Sequence, residues 1–357
     1  MKSDSGIKLK NFARTLNSAI QFNLLNKRNL IKVGHRITHK CNYKCSYCSV
    51  WYDKTEELNT EQILKLVDEV ADAGCVAYAV TGGEPLIRKD LPQILKRIKE
   101  RGMVAKLVSN GSLVSKRIDE IADYVDVLTF SFDTINPNVP EDLGIIKVLN
   151  DTVIEGVKAA VARIPHVGFN TILTRITYDQ LDDILEIGTS LGIKSFTFSP
   201  LLTHFDYKSP EEYSRRYAEV YGSIEHYRKT IRKLRELRDK GYPVMMSDLL
   251  LDAMYTFKVP KMKCIAIYLQ CSISPDGRLG PCFEFSRELT DSYNNKSFKE
   301  LWEELGDHIA FSDNCKGCLL HCYFEPSAIF AGKPKAIFSR GSYRKRYINA
   351  LFNRKGS

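Results

Sequence analysis

The sequence predicts an α/β protein: a parallel sheet of six strands with helices between them, followed by a small Cys-rich C-terminal domain. Three observations carry this. Between residues 30 and 206, short apolar runs of strand length alternate with longer segments of helical period. Turn formers and unusual polar residues recur just after those runs, at the strand ends where parallel sheets place their sites. Nine of the ten cysteines fall into two clusters, within residues 41–48 and 264–322.

The elements follow in order. Residues 7–24 space Phe12, Leu16, Ile20 and Leu24 four apart, one stripe of an amphipathic helix. A strand is expected over 30–37. A helix over 61–73 precedes a strand over 76–80, and a helix over 89–101 precedes a strand over 104–108 that ends at Asn110-Gly111. A helix over 115–122 leads to a strand over 127–132, and a helix over 149–163 to a strand over 167–173. A helix over 178–191 and a strand over 195–199 complete the rhythm. Residues 210–240 read as a long charged helical region broken at Gly222. Residues 261–325 read as irregular and in need of a metal to hold them together. The expected divisions are a basic N-terminal segment 1–29, a core 30–206, a helical connection 207–260, a Cys-rich domain 261–325 and a basic tail 326–357.

Composition sets the outer bounds. The chain has 357 residues, 44% hydrophobic and 27% charged, which excludes a disordered polymer. No apolar run approaches the roughly 18 residues of a membrane span. The N-terminus lacks the apolar stretch of a secretory signal, so a cytoplasmic location is expected. The net charge of +9 is concentrated at the ends: residues 1–40 hold nine Lys or Arg and one acid, and residues 333–357 hold eight and none. The body between is acidic, unlike a nucleic-acid binder, which spreads basic surface over its folded body. Tyr343, Tyr347, Leu351 and Phe352 give the tail an apolar stripe of its own. Each basic end either packs on the core with its charges solvated or contacts the inner face of a membrane.

Cys41, Cys45 and Cys48 place three thiols within eight residues on the loop after the first strand. In a reducing compartment such clustered thiols read as metal ligands. Three cysteines leave one iron of a cubane cluster open to a small molecule. A Cys3His zinc site completed by His39 is the alternative. Gly82-Gly83-Glu84-Pro85 follows the second strand, Ser109-Asn110-Gly111 the third, and Asp133 the fourth. Each of these residues also has a plain reading as a turn former or helix cap. The second cluster is Cys264, Cys271, Cys282, Cys315, Cys318 and Cys322, with Pro275-Asp276-Gly277 as a tight turn inside it. Cys75 stands alone and reads as a core thiol.

Cys41-x3-Cys45-x2-Cys48 with Tyr47 before the last cysteine resembles the signature of radical S-adenosylmethionine (SAM) enzymes. The Gly82-Gly83-Glu84-Pro85 segment resembles that family's methionine-binding loop. The resemblance covers about residues 30–206 and implies a partial (β/α)6 barrel. It implies that Cys41, Cys45 and Cys48 hold a 4Fe–4S cluster whose open iron chelates SAM, and that one electron then releases a 5′-deoxyadenosyl radical. Glu84 would accept from the methionine ammonium and Tyr47 would lie near the adenine. Ser109, Asn110, Ser131, Asp133 and Asn170 match strand-end positions lining the ribose and carboxylate.

The C-terminal cysteines resemble an auxiliary-cluster extension of the SPASM/Twitch type. One auxiliary 4Fe–4S cluster on Cys264, Cys282, Cys315 and Cys318 is implied. Cys271 and Cys322 are left over, either as replacements or as buried thiols, and a structural zinc ribbon is the alternative. A reductant such as ferredoxin or flavodoxin is the implied partner. The basic ends favour a membrane lipid or headgroup as substrate, with peptide or protein maturation second. A non-catalytic, zinc-stabilised binding protein is the reading from another class.

Overall fold

The computed structural model describes residues 4–52, 54–141, 146–200, 222–283, 289–315, 317–337 and 339. The expected tail helix at 343–355 and all of 201–221 lie outside these residues. Helix α1 spans Asp4–Leu25. There follow β1 Lys32–Arg36, α2 Thr60–Asp72, β2 Ala77–Thr81, α3 Leu91–Glu100, β3 Val104–Ser109 and α4 Val114–Ile121. Then come β4 Val127–Phe132, α5 Asp151–Arg163, β5 His166–Leu173, α6 Thr177–Ser190 and β6 Ser195–Pro200. This is the alternation the hydropathy period predicts, with ends displaced by a residue or two. Local chemistry sets several starts. Asn59 and Gln62 form a capping box on α2, and Asn150 caps α5 by accepting from Val153 N at 3.1 Å.

The strands form one sheet in the order β6-β5-β4-β3-β2-β1-β7-β8, parallel throughout except for the last pair. Its two faces differ by the period of two. Tyr78, Val80, Leu107, Phe130, Phe169 and Phe196 point under the helices and are buried. Phe169 packs edge-on to Phe132 at 4.9 Å and to Phe196 at 5.7 Å. The alternate residues, including Lys32, Arg36, Lys106, Thr129, Ser131, Asn170, Thr197 and Ser199, are half-buried on the opposite, polar face. That face is the lumen of the partial barrel.

The C-terminal half departs from expectation. Gly222, at φ 77°, turns the chain just before Ser223 caps α7, Ile224–Asp239. Helix α8 spans Asp248–Thr256. Residues 261–325 are not irregular. Strand β7, Gln270–Ile273, pairs in parallel with β1 (Lys32 opposite Gln270), and β8 covers Leu279–Gly280. Helix α9, Phe298–Asp307, begins at a Ser297/Glu300 capping box, followed by α10 Ile309–Asp313, α11 His321–Phe330 and α12 Pro334–Ile337. The Cys-rich segment is therefore built onto the main sheet. A four-residue strand whose partner lies far away in sequence leaves no local period to read.

Candidate active site

The three-cysteine loop sits at the carboxyl end of β1 and is stitched to the glycine loop after β2. Gly83 N donates to Thr38 O at 2.8 Å, and Glu84 N donates to Lys40 O at 2.8 Å. A Cβ on Gly83 would lie 2.2 Å from Lys40 O and 2.6 Å from His39 O; one on Gly82 would lie 2.7 Å from Thr38 O. The glycines are thus required by the close approach of the chain's own backbone. Asn42 extends the stitching to the β3 end: Asn110 Nδ2 donates to Asn42 Oδ1 at 2.9 Å, and Asn42 Nδ2 donates to Ser112 Oγ at 2.8 Å.

Cys45 is buried, and Cys41 and Cys48 are half-buried. Burial pushes the Cys41 and Cys45 thiols up, and the neighbouring Cys48 pushes both the same way. Lys147 opposes this on both. Cys48 N donates to Cys45 O at 3.1 Å, and Trp51 Nε1 to the same carbonyl at 3.3 Å. His39 turns Nε2 to Thr55 Oγ1 at 2.9 Å.

Glu84 is fully buried and ties three strand-end groups together. Its Oε1 accepts from Leu86 N at 3.0 Å and from Ser109 Oγ at 2.9 Å; its Oε2 accepts from Asn110 N at 2.8 Å. Burial raises its carboxyl above the usual range, and these three donors act against that rise. Pro85 opens a short 3-10 turn, Pro85–Ile87, capped by Glu84. Asn110 also closes a local turn, its Oδ1 accepting from Ser112 N at 3.0 Å.

A second knot lies at the β4 end. Tyr47 Oη donates to Asp133 Oδ2 at 2.5 Å, and Lys147 Nζ donates to Tyr47 Oη at 2.6 Å. The Lys147 backbone N donates to Asp133 Oδ2 at 2.8 Å, with Nζ 3.6 Å from Oδ1. Asp133 is fully buried, and this neighbourhood pushes the Tyr47 hydroxyl, already raised by its own burial, further from ionising. The sequence reading missed Lys147, because a lysine on the β4–α5 connection carries no motif. Ser131 lies on the lumen face opposite Asn170 in register. The Asn170 Oδ1 accepts from Thr197 Oγ1 at 2.9 Å and Ser199 Oγ at 3.0 Å.

The C-terminal thiols divide. Burial pushes the Cys318 thiol well up, and Cys264, Cys282 and Cys322 all push it further. All three thus lie near enough to Cys318 to act on it. Cys315 is exposed. Cys271 is fully buried on β7 within the main core, where the cysteine acting on it is Cys75. It is a core thiol, as is Cys75, which donates to Ala77 O at 3.1 Å. Phe283, next to Cys282, seats its ring where a Gly34 Cβ would stand at 2.7 Å, under the Arg36 guanidinium at 4.6 Å. Lys32 and Lys106 act on Cys322 from the lumen face. Among the described residues no group of three or more His, Cys, Asp or Glu closes to metal-ligand geometry. The donor chemistry is nonetheless soft thiolate in both clusters, the kind iron–sulfur clusters and zinc take.

Residues 36–188 match the family described as the Radical SAM superfamily, and residues 205–338 match a domain of unknown function, DUF3463. Among curated proteins, the chain is similar to a PqqA peptide cyclase of Rhizobium meliloti, 25% identical over 301 residues, covering 79% of this chain and 77% of that protein. A PqqA peptide cyclase of Granulibacter bethesdensis is 27% identical over 161 residues, 44% of this chain and 43% of its own. A GTP 3′,8-cyclase of Mycobacterium tuberculosis is 30% identical over 176 residues, 44% and 47%. The chain thus spans about half the length of the latter two relatives. In fold it is similar to Streptococcus suis SuiB bound to S-adenosylmethionine, with a TM-score of 0.63 at 16% identity, covering 82% and 71% of the two chains. It is also similar to anSMEcpe with bound AdoMet, at 0.60 and 14%, covering 91% and 92%.

Proposed function

From a chain that carries a radical SAM superfamily domain, joined to a second C-terminal domain, we propose an enzyme that cleaves SAM reductively and abstracts hydrogen from a peptide or protein substrate. The observation that carries the chemistry is the three-thiol loop held against the glycine loop at neighbouring strand ends. A 4Fe–4S cluster bound with SAM supplies the electron that breaks the sulfonium bond and releases a 5′-deoxyadenosyl radical. In this reading Cys41, Cys45 and Cys48 hold the cluster, and Lys147 offsets their negative charge. Glu84 keeps the strand ends in register, which leaves the backbone carbonyls of Gly82–Glu84 to receive an ammonium. Tyr47 is oriented by Asp133 beside the adenosyl part. Ser131 and Asn170 line the lumen where a substrate C–H bond would meet the radical.

Cys264, Cys282, Cys318 and Cys322 hold one auxiliary 4Fe–4S cluster in this proposal, with Cys322 in the place first given to Cys315. A ferredoxin- or flavodoxin-type protein supplies the electron. The peptide substrate is supported by the Rhizobium meliloti PqqA peptide cyclase, whose similarity runs through both domains. The test is a mass comparison of peptides and lipids between a deletion strain and its parent, alongside iron, sulfide and 5′-deoxyadenosine assays on anaerobic protein. A peptide modified only in the parent supports the proposal. Changed lipids with unchanged peptides would return the substrate to the lipid class, and stoichiometric zinc without iron would remove the enzyme reading.

A further inference from the structure

Helix α1 is inside out. Among the described residues seven large apolar side chains stand exposed, and six of them lie on this helix: Leu9, Phe12, Leu16, Ile20, Leu24 and Leu25. Leu24 is 76% exposed and Leu16 52%. The opposite face, which meets the body, is largely polar or small: Asn11 Nδ2 donates to Gly102 O at 3.1 Å, and Ser18 is buried. At the edge of the exposed side, Asn23 Nδ2 donates to Phe330 O at 2.7 Å. One aromatic, Phe22, anchors it edge-on to Tyr268 at 5.3 Å. So, among the described residues, the helix is docked by hydrogen bonds, the Phe22 ring and the Arg14 guanidinium beside Gly74, and the stripe through Leu16, Ile20 and Leu24 points away from the sheet. A contiguous exposed stripe of this kind marks an interaction surface.

We propose that α1 lies flat on an anionic lipid surface, with Leu9, Leu16, Ile20 and Leu24 set among the acyl chains. Charge selects this occupant. Lys10 and Lys27 are exposed along the helix and just beyond it, and residues 1–40 hold a single acid, Asp4. A second copy would bring like charge to like charge, whereas an anionic bilayer supplies the opposite sign. The helix is too polar to cross the membrane. At 22 residues it spans about 33 Å, enough to orient the body on a surface. This inference is independent of the reaction in the barrel.

The experiment is sedimentation of the full-length protein with neutral phosphatidylcholine vesicles, and with the same vesicles carrying phosphatidylglycerol, at low and high salt. Binding is expected to the anionic vesicles alone, and to weaken with salt. Lys10→Gln and Lys27→Gln should each weaken it about fivefold, the equivalent of ~1 kcal/mol per basic residue. Leu16→Glu with Ile20→Glu should abolish binding while leaving circular dichroism and iron content unchanged, since both side chains are exposed. Equal partition into both vesicle types, or none into either, overturns the proposal. A concentration-dependent dimer abolished by the same double substitution also overturns it, and gives the face to a second copy.

Discussion

Glu84 satisfies three donors, and no neutral side chain of its size repeats that. Glu84→Ala orphans Leu86 N, Ser109 Oγ and Asn110 N, at roughly 1–3 kcal/mol for each group that finds no water. Glu84→Gln should lose almost as much, because its NH2 would face a donor. Urea unfolding of the two variants, with iron retained per chain, measures both effects. Lys147→Met leaves Asp133 buried without its cation and should cost about 3–5 kcal/mol. Adding Asp133→Asn should recover part of that loss, and a double-mutant cycle reads the coupling directly. The carboxylates of both knots were legible as strand-end residues, and so were Ser109, Asn110 and Tyr47, but their pairing and Lys147 were not. Tyr47, Asp133 and Lys147 meet through the fold, and spacing along the chain says nothing of a lysine in a long connection.

His35 gives a residue-level dependence on pH. It is fully buried, bonded through Nδ1 to Tyr78 Oη at 2.7 Å, and burial, with the charge of Arg88 pushing the same way, lowers it to about 3. The unfolded chain binds this proton near pH 6.5 and the folded chain only near 3, so stability rises with pH across that window. It is complete above 6.5 and lost as pH falls. Between pH 6.5 and 4.5 the loss should be about 2–3 kcal/mol. Urea midpoints should fall over that range, and fall less in His35→Gln, which cannot charge.

At the scale of elements, the contact between the cysteine loop and the glycine loop is backbone on backbone. Gly83→Ala places a methyl 2.2 Å from Lys40 O, so the loops must part. Iron per chain should drop while the helices persist by circular dichroism, with a stability loss of about 1–3 kcal/mol. The motif was legible because glycine there has no substitute, although its reason is contact within the chain. The six strands and five helices of the barrel were legible because each carries its own period over at least five residues. Helix α1 was legible as a helix, but not in its orientation. The sequence leaves the stripe either packed on the core or facing outward, and the buried side of Asn11, Ser18 and Phe22 shows that it faces outward.

At the scale of the molecule, the C-terminal segment reaches the lumen with Phe283 and sets Cys264, Cys282 and Cys322 where each acts on Cys318. Cys322→Ala should remove about half of the bound iron, as loss of one of two similar clusters would, and Cys315→Ala should leave it in place. Anaerobic iron and sulfide analysis separates the two variants. The sequence pointed to a second thiol site, and our proposal puts Cys322, in the first turn of α11, where the spacing alone suggests Cys315.

The pairing of β1 with β7 sets an order of events on the ribosome. The first strand of the sheet leaves the exit tunnel early, and its outer neighbour follows only after most of the chain has been made. Throughout that interval a nascent half-barrel carries the open hydrogen-bonding row of Lys32–Arg36. Translation therefore holds the protein in a template-like state until residues 270–273 emerge. A ribosome stalled before that point should display a chain that binds chaperones and yields quickly to protease, and one stalled well past it should display a closed sheet.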